Sequence, residues 1–448
     1  MAFEIRLDRL ELTNFHQFEQ YTVDFDEHLT VLVGDNGAGK SSVLEAACVA
    51  LGTFFFPLAH SEQRLIERSD ARIAAHELGE ALDFQGQYPV SVYAEGLMGE
   101  RGSTDKISWS RSLASSDGKT TYSEANNMIH AARHLLERVQ NGDASLVLPL
   151  IAYYGTDRLW AGGKGFGDNR RQAFTRLDGY KGALDARVSS DQMLTWFFKM
   201  TASDVQRAQS YAKEGESPLF AAVRKAVGDC FKSIAGRDRV RVTYSFDADD
   251  LEIEYVDPDD TVHRMPMNSL SDGYRTTLSM VADIAYRMAI LNPQLGSDVL
   301  DTSGVVLIDE VDLHLHPLWQ ARILGDLRRT FPNIQFIVTT HAPVVISSVR
   351  ARHIRVLDGG AEAKQLNTEI YGSDTGRVLL SVMGAPERPR EVQDLLDMFY
   401  DELDDGDFDR SRQLLGELER QIGRDDTAFV GAQTALALEE ADAHYVAN

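Results

Sequence analysis

The sequence predicts an α/β protein in which a mixed, mainly parallel sheet is covered by helices. Four continuous apolar runs have the length and composition of strands that are buried on both faces. These runs are residues 29–33, 146–154, 304–308 and 334–338. A helical pattern over 318–330 joins the last two runs, as in a βαβ unit. The fold class follows from this alternation of strand-like runs and helical segments.

Alternating polar and apolar residues near the start of the chain predict an antiparallel β subdomain. Its strands are expected at 4–14, 21–26, 90–94 and 107–110. Helical patterns predict helices at 42–53, 61–82, 123–140, 191–213, 217–235 and 271–291. Three short strands are expected between 239 and 265, and the tail beyond 368 is expected to be helical.

Length and charge limit the classes of function. The 448 residues suffice for two or three domains, and a composition of 43% hydrophobic and 25% charged residues is ordinary for a soluble protein. The net charge of −24 argues against binding nucleic acid with the whole surface. Half of this charge lies in residues 361–448, which hold 20 Asp and Glu against eight Lys and Arg. This acidic segment is either an interaction module or a solvated helical surface.

The sequence predicts a cytoplasmic protein. Its N-terminus carries charged residues from the start instead of an apolar signal segment, and no apolar run approaches the length of a membrane span. The two cysteines, Cys48 and Cys230, make neither a disulfide framework nor a metal-ligand set. Both are interpreted as small buried side chains.

A glycine-rich stretch between a strand-like and a helix-like run fits the phosphate-loop pattern G-x-x-x-x-G-K-[ST]. Its glycines let backbone N–H groups wrap phosphates without a Cβ in the way, and the following helix start adds partial positive charge. Lys40 would reach the β- and γ-phosphates, and the Ser41 hydroxyl would bind Mg²⁺. The residues expected to bind the nucleotide here are Gly34, Asp35, Asn36, Gly37, Ala38, Gly39, Lys40, Ser41 and Ser42.

Three further segments carry chemically suitable residues. Ser271 and Gly273 open a predicted helix, at its positive end. The apolar run 304–308 ends in two carboxylates, of which Asp309 can hold Mg²⁺ and Glu310 can polarise an attacking water as general base. The run 334–338 leads to His341. Because ligands bind at the carboxyl ends of strands in such sheets, these side chains are expected to lie together.

This set, in this order, resembles the ABC-type ATPases: phosphate loop, signature, Walker B, switch histidine. The resemblance implies ATP and Mg²⁺ as cofactors, with Lys40, Glu310 and His341 in the catalytic site. It also implies a homodimer or higher even-numbered oligomer. In that family the signature residues of one copy, here Ser271 and Gly273, close over the nucleotide of another, so ATP binding drives closure and hydrolysis reopens the pair. The signature segment 270–274 departs from the commonest LSGGQ form.

The chain resembles the RecF- and SMC-like branch, because residues 7–15 look like the opening strand and Asn-Phe turn of that branch. The sequence has no sustained heptads, so no coiled-coil arm is expected. Residues 152–160, 309–317 and the tail from 371 are similar to a group of overcoming-lysogenization-like (OLD-like) ATPases. That group includes PtuA of the Septu anti-phage system and of some retron systems, which acts beside a separate HNH nuclease, PtuB. The resemblance therefore implies a PtuB-like partner nuclease. No nuclease motif is evident in this chain.

Several features keep two interpretations each. The block 153–158 either includes a γ-phosphate sensor, Asp157 or Arg158, or is a structural turn at a strand end. His314 and His316 either bind metal or belong to an inter-subunit loop after Walker B. Basic residues either line a nucleic-acid path or form a solvated surface; they are Lys164, Arg170, Arg171, Arg176, Lys181, Arg187, Arg224, Lys225, Lys232, Arg237, Arg239 and Arg241.

The domain hypothesis divides the chain into four parts. Residues 1–160 and 266–360 would be the two lobes of an ATPase head, 161–265 a mainly helical insertion with short strands, and 361–448 an acidic helical tail for partner docking. The first functional hypothesis is an anti-phage ATPase that controls a separate nuclease. The alternatives are a RecF-like DNA-repair ATPase that binds DNA directly and an ATP-gated scaffold with little turnover.

Overall fold

The computed structural model describes residues 2–58, 63–79, 81–158, 174–185, 190–209 and 216–446. The chain forms two units, Met1–Ser373 and Asp374–Asn448. Within the described ranges we find no helix that combines the length and the apolar character needed to cross a membrane.

The strands of the described chain all belong to the first unit. They are β1 (Phe3–Phe15), β2 (Phe18–Asp24), β3 (Leu29–Gly34), β4 (Ile73–Leu78), β5 (Ala81–Gly86), β6 (Val90–Glu100), β7 (Ser103–Leu113), β8 (Leu150–Tyr154), β9 (Arg239–Ser245), β10 (Asp250–Val256), β11 (Val262–Pro266), β12 (Gly304–Ile308), β13 (Ile334–Thr339), β14 (Ile354–Leu357) and β15 (Lys364–Gln365).

The helices belong to both units. Those of the first are α1 (Lys40–Gly52), α2 (Phe55–Leu58), α3 (Asn126–Gln140), α4 (Ser190–Ala208), α5 (Pro218–Ala235), α6 (Asp272–Leu291), α7 (Pro317–Gln320), α8 (Ile323–Thr330) and α9 (Pro343–Ser347). Those of the second are α10 (Thr375–Met383), α11 (Arg390–Asp404), α12 (Phe408–Ile422) and α13 (Thr427–Val446).

A six-stranded sheet in the order β15-β14-β3-β13-β12-β8 carries the site. From β14 to β8 the strands are parallel, and β15 is antiparallel to β14. The interior strands β12 and β13 are buried along their whole length, as expected for parallel strands covered on both faces. Ile308 lies beside both Val338 and Tyr154, so the carboxyl ends of β8, β12 and β13 meet at one edge. The predicted α/β class is confirmed.

The predicted antiparallel subdomain is a four-stranded sheet in the order β2-β1-β6-β7. Helix α1 contacts both this sheet and the parallel sheet, and most of its residues are buried, which explains why its sequence is apolar from Ala46 onward. The Trp109 indole N–H donates to the Ala50 carbonyl at 2.9 Å. The buried Gln335 side chain of β13 exchanges two hydrogen bonds with the backbone of Leu7 in β1. These contacts fix the phosphate-loop helix between the two sheets.

Helix α6 is buried along almost all of its length. Its Arg287 forms a 2.6 Å ion pair with Asp283 in the same helix, and Tyr154 of β8 donates to Asp283 at 2.9 Å. Arg287 also donates to the backbone carbonyls of Gly179 and Lys181. The helix that begins at the signature segment is therefore tied to the strand beside Walker B. Strands β9, β10 and β11 form a separate antiparallel sheet.

The helix predicted at 61–82 is wrong over its described part. Residues 68–70 form one 3-10 turn, and β4 and β5 form a two-stranded hairpin. Alanines and leucines in this segment recur at helical spacing, and this is why a helix was predicted instead of two strands. Gly79, with φ of +69°, permits the tight turn between the strands. The single helix predicted at 318–330 is two helices, α7 and α8.

The second unit is helical, as predicted. Its apolar core is built by α11, α12 and α13; the buried residues are Val392, Leu396, Phe399, Leu403, Leu414, Leu418, Phe429, Ala432 and Leu436. Arg388, just before α11, makes a two-pronged ion pair with Asp426, just before α13, with distances of 2.8 and 3.0 Å. This pair fixes the start of one helix against the start of another.

Candidate functional site

The phosphate loop leads from β3 to α1 through three glycines that no other residue replaces easily. Gly37 and Gly39 have φ values of +83° and +98°, which residues with a Cβ rarely adopt. A Cβ on Gly39 would lie 1.8 Å from Gln17 Nε2, and one on Gly34 would lie 2.5 Å from the Leu357 carbonyl oxygen. The loop is therefore packed tightly against the β1–β2 turn and the end of β14.

Lys40 is enclosed by this loop. Its ammonium group donates to the carbonyl oxygens of Gly34 and Asp35, both at 2.9 Å, and the residue is buried. Burial lowers the pKa of Lys40, while the nearby carboxylates of Asp309 and Glu310 act in the opposite direction. The loop carbonyls therefore hold the ammonium group of Lys40 near the two carboxylates that follow β12.

Asp309 and Glu310 follow directly after β12 and are fixed by Thr339, the last residue of β13. The Thr339 hydroxyl donates to Asp309 Oδ1 at 2.5 Å and accepts from the Glu310 backbone N–H at 2.7 Å. Glu310 has φ of +47°, a left-handed conformation that costs energy for a residue with a Cβ. The chain turns sharply at this point, and both residues contribute to one cleft.

That cleft, with a volume of about 260 Å³, collects most of the predicted site residues. Its lining is formed by Gln17, Asn36, Gly37, Gly39, Lys40, Ser41, Ser42, Asp309, Glu310, Thr339 and His341. His341 is half-buried, and burial together with the Lys40 cation lowers its pKa. The imidazole is therefore neutral at pH 7, beside one lysine and two carboxylates.

The cleft has the donor set that Mg²⁺ and a nucleotide phosphate need. A serine hydroxyl and a carboxylate, from Ser41 and Asp309, are the oxygen ligands that Mg²⁺ takes in nucleotide sites. A lysine and the N-terminus of α1 supply positive charge for phosphate oxygens. The residues present therefore fit ATP with Mg²⁺.

Ser271 and Gly273 lie outside this cleft, at the start of α6. Ser271 is exposed, and its side chain caps no backbone N–H of the helix. Gly273 is buried against the loop after Walker B, where a Cβ would lie 2.4 Å from the His314 carbonyl oxygen. Within one copy of the chain, the signature residues do not contribute to the cleft around Lys40.

The block 153–158 is part buried and part exposed: Tyr154, Gly155 and Arg158 are buried, whereas Thr156 and Asp157 are exposed. Arg158 is 2% exposed and does not line the cleft; its guanidinium contacts the backbone carbonyls of Gly155, Asp309 and Glu310. Burial lowers the pKa of Arg158 to about 10, so the group stays charged at neutral pH. Arg158 therefore lies beneath the Walker B turn.

The metal interpretation of His314 and His316 gains no support in the described ranges. The one group of three close ligand side chains found there is His16, Glu45 and Asp70, which also contacts Arg64. His316 instead accepts from the Leu318 backbone N–H at 3.3 Å, capping α7.

Many of the basic residues considered for nucleic acid are paired with acids or backbone oxygens. Arg176 donates to the carbonyls of Leu291 and Leu146. The other pairs are Lys181 with Asp178, Arg224 with Glu216, Lys225 and Lys232 with Asp229, Arg237 with Asp257, and Arg239 with Asp260. Lys164, Arg170, Arg171 and Arg187 lie outside the described residues. The solvated-surface interpretation is favoured for the paired set.

Two lining residues had no assigned role in the sequence. Gln17 reaches the cleft from the β1–β2 turn, and the Ser42 hydroxyl donates to its Oε1 at 3.1 Å. Thr339 occupies the end of β13, two residues before the predicted histidine. Its position at a strand end beside Walker B was the available signal, since such ends meet at the ligand-binding edge.

Two family descriptions match the chain. The family described as "AAA domain" matches residues 9–213, and the family described as "AAA domain, putative AbiEii toxin, Type IV TA system" matches residues 228–347. The first match contains the phosphate loop, and the second contains the signature segment, Walker B and His341.

Relatives are found along most of the chain. The Retron Ec83 probable ATPase of Escherichia coli is 26% identical, over 95% of this chain and 86% of its own length. Septu protein PtuA of Bacillus mycoides is 24% identical over 88% of this chain, which spans about half (47%) of that protein. A solved Smc head bound to the C-winged helix domain of ScpA is 17% identical, with a TM-score of 0.44 over 78% of this chain and 93% of that one. The chain therefore carries AAA-type ATPase domains and is homologous to the retron ATPases and to Septu PtuA.

Proposed function

We propose that this protein binds and hydrolyses ATP with Mg²⁺ in an anti-phage defence system, where closure of two copies controls a separate HNH-type nuclease. The observation that carries the ATPase part is the shared cleft. Lys40, Ser41, Asp309, Glu310 and His341 come from three separate stretches of sequence and line one surface. The retron and Septu relatives support the defence setting.

Each residue has a role that its geometry suits. Lys40 would exchange its two carbonyl partners for phosphate oxygens. Ser41 and Asp309 would hold Mg²⁺, which neutralises phosphate charge. Glu310, at its sharp turn, would accept a proton from the attacking water. His341, neutral at pH 7, would hydrogen-bond near the terminal phosphate without adding a second cation beside Lys40.

The closure of two copies is supported by the position of the signature segment. Ser271 is exposed at the N-terminus of a 20-residue helix and lies outside its own copy's cleft. Its hydroxyl and the helix end are suited to phosphate oxygens presented by a second copy. A homodimer, or a larger assembly of such pairs, would complete two sites at once.

The second unit would dock the nuclease. It is a helical unit with its own apolar core, and residues 361–448 carry half of the net charge. The domain hypothesis places the docking surface in this acidic tail, and the cleft residues all lie in the first unit.

The proposal is tested by measuring ATP affinity, turnover and assembly of the purified chain. Lys40→Ala should weaken ATP binding by about 10–100-fold, the value of a charge-assisted hydrogen bond to phosphate. Glu310→Gln should keep binding, lower turnover by about 10²–10⁴-fold and shift the chain to a dimer on size-exclusion chromatography with ATP. Lys119→Ala and Glu391→Gln, both at exposed positions, are matched controls and should behave as wild type.

Other results would point elsewhere. Tight ATP binding by wild type without measurable hydrolysis would support the scaffold alternative. Hydrolysis stimulated by DNA in the absence of any partner would support the RecF-like alternative. Unchanged ATP affinity in Lys40→Ala would refute the assignment of the phosphate loop.

A further inference from the structure

Arg158 lies directly beneath the turn that presents Glu310. From the end of β8 the chain curves through Gly155, and the Arg158 side chain is buried against the backbone after β12. Its Nη1 donates to the Asp309 carbonyl at 2.5 Å and to the Gly155 carbonyl at 2.9 Å, and its Nη2 donates to the Glu310 carbonyl at 2.6 Å. One guanidinium therefore joins the ends of two neighbouring strands.

The turn that Arg158 contacts needs support. Glu310 adopts φ of +47°, which persists in a residue with a Cβ only where the surroundings enforce it. Thr339 holds the opposite side: its hydroxyl accepts from the Glu310 N–H, and its carbonyl accepts from the Val311 N–H at 2.9 Å. Arg158 holds the carbonyl side of the same residues. The two contacts together fix the peptide planes on either side of Glu310.

An arginine suits this position because of its geometry. Its planar fork offers several donors in fixed directions, so it can bond the successive carbonyls of Asp309 and Glu310 together. A lysine would bring one small cationic centre to the same place and could not match this arrangement. The carboxylates of Asp309, Glu310 and Asp312 favour a cation here.

We propose that Arg158 is a positioning residue, which holds the Asp309–Glu310 turn in the conformation that hydrolysis requires and does not contact the nucleotide. This inference rests on the proposed ATPase function and assigns Arg158 to the support of Walker B instead of γ-phosphate sensing. It follows that loss of Arg158 impairs the chemical step and leaves nucleotide affinity intact.

The test compares turnover with affinity in Arg158→Lys and Arg158→Met. Both variants should bind ATP and ADP within about threefold of wild type, because Lys40 and Ser41 are untouched. Their kcat should fall about 10–100-fold, since displacement of a catalytic group by 1 Å has an effect of this size. Arg158→Lys keeps the charge and much of the length, so it decides the question if Arg158→Met does not fold.

A matched control separates positioning from general support. Arg176 also donates to backbone carbonyls, those of Leu291 and Leu146, and does not line the cleft. Arg176→Lys should lower the thermal unfolding temperature and leave kcat near that of wild type. In a Glu310→Gln background, Arg158→Lys should cause a smaller loss of turnover than in the wild-type background, because the part of its effect that passes through Glu310 is already lost and only the part that passes through Asp309 remains.

Three results would overturn the inference. They are wild-type kcat in folded Arg158→Lys, an equally large loss of turnover in the wild-type and Glu310→Gln backgrounds, and weakened affinity for ATP with unchanged affinity for ADP. The last would mean that Arg158 contacts the γ-phosphate. Failure of wild type to hydrolyse ATP would instead overturn the proposed function itself, so the two failures are distinguishable.

Discussion

At the scale of single residues, the protonation state of His341 is set by its position in the cleft. Burial and the Lys40 cation both disfavour the imidazolium, and they outweigh the carboxylates of Glu310, Asp312 and Asp309. The pKa of His341 therefore lies below its ordinary value of 6.5. The neutral form persists as the pH falls through 6.5, and the ring becomes charged only in more acidic solution.

This state predicts the acid side of the pH profile. Turnover should stay level as the pH is lowered from 8 to about 6.5, and it should decline below that range, because protonation puts a second cation beside Lys40. His341→Gln should be slower at pH 8 and should lose this decline. His353→Gln is the control: His353 also has a pKa lowered by burial but does not line the cleft, so its variant should keep the decline. A His341→Gln profile that is parallel to wild type would contradict the prediction.

At the scale of elements, the phosphate loop depends on contact between β3, α1 and the β1–β2 turn. Both Gly37 and Gly39 have positive φ values, but their surroundings differ. A Cβ on Gly37 would meet no atom within 4 Å, whereas a Cβ on Gly39 would lie 2.2 Å from Cζ of the buried Phe18. The two positions therefore separate backbone strain from steric overlap.

Gly37→Ala should destabilise the first unit by about 1–2 kcal/mol, the cost of a left-handed residue with a Cβ. Gly39→Ala should cost about 1–3 kcal/mol more, because Phe18 and Gln17 must move. Urea unfolding followed by tryptophan fluorescence measures both, since all four tryptophans lie in the first unit. An equal loss of unfolding free energy in the two variants would contradict the prediction, because it would mean that Phe18 and Gln17 move away from the new Cβ at no energetic cost.

The elements that could be predicted from the sequence are those that a short run of consecutive residues specifies. The phosphate loop, the buried strands and the acidic end of β12 are each written in a few consecutive residues, so their type and their meeting at one sheet edge could be predicted. The β4–β5 hairpin was missed because its alanines also fit a helical period. The contacts of Gln17 with Ser42 and of Arg158 with Glu310 join residues 25 and 152 positions apart, and no local pattern records such contacts.

At the scale of the whole molecule, the proposed catalytic cleft and the acidic helix surface belong to different units. All residues of the cleft lie in Met1–Ser373, while α11 in the second unit presents a stripe of exposed carboxylates. Asp394, Asp397, Asp401 and Asp404 recur at helical spacing along that stripe. Met398 and Tyr400, 45% and 41% exposed, add apolar area on the same helix. This combination suits a partner with a basic surface and a small apolar patch.

Replacing these four aspartates with asparagine should therefore weaken binding of the partner nuclease by at least about tenfold and leave ATP turnover unchanged. Wild-type binding should weaken as salt is raised from 50 to about 500 mM, and the variant should respond much less, because exposed charges are screened over this range. The measurement is a pull-down and titration with a PtuB-like HNH nuclease, the partner proposed above. Asp105, Asp247, Asp298 and Asp301 are exposed in the first unit, and their replacement by asparagine is the matched control, which should bind as wild type. If both quadruple variants lose affinity equally, net charge governs the association and α11 is not the docking surface.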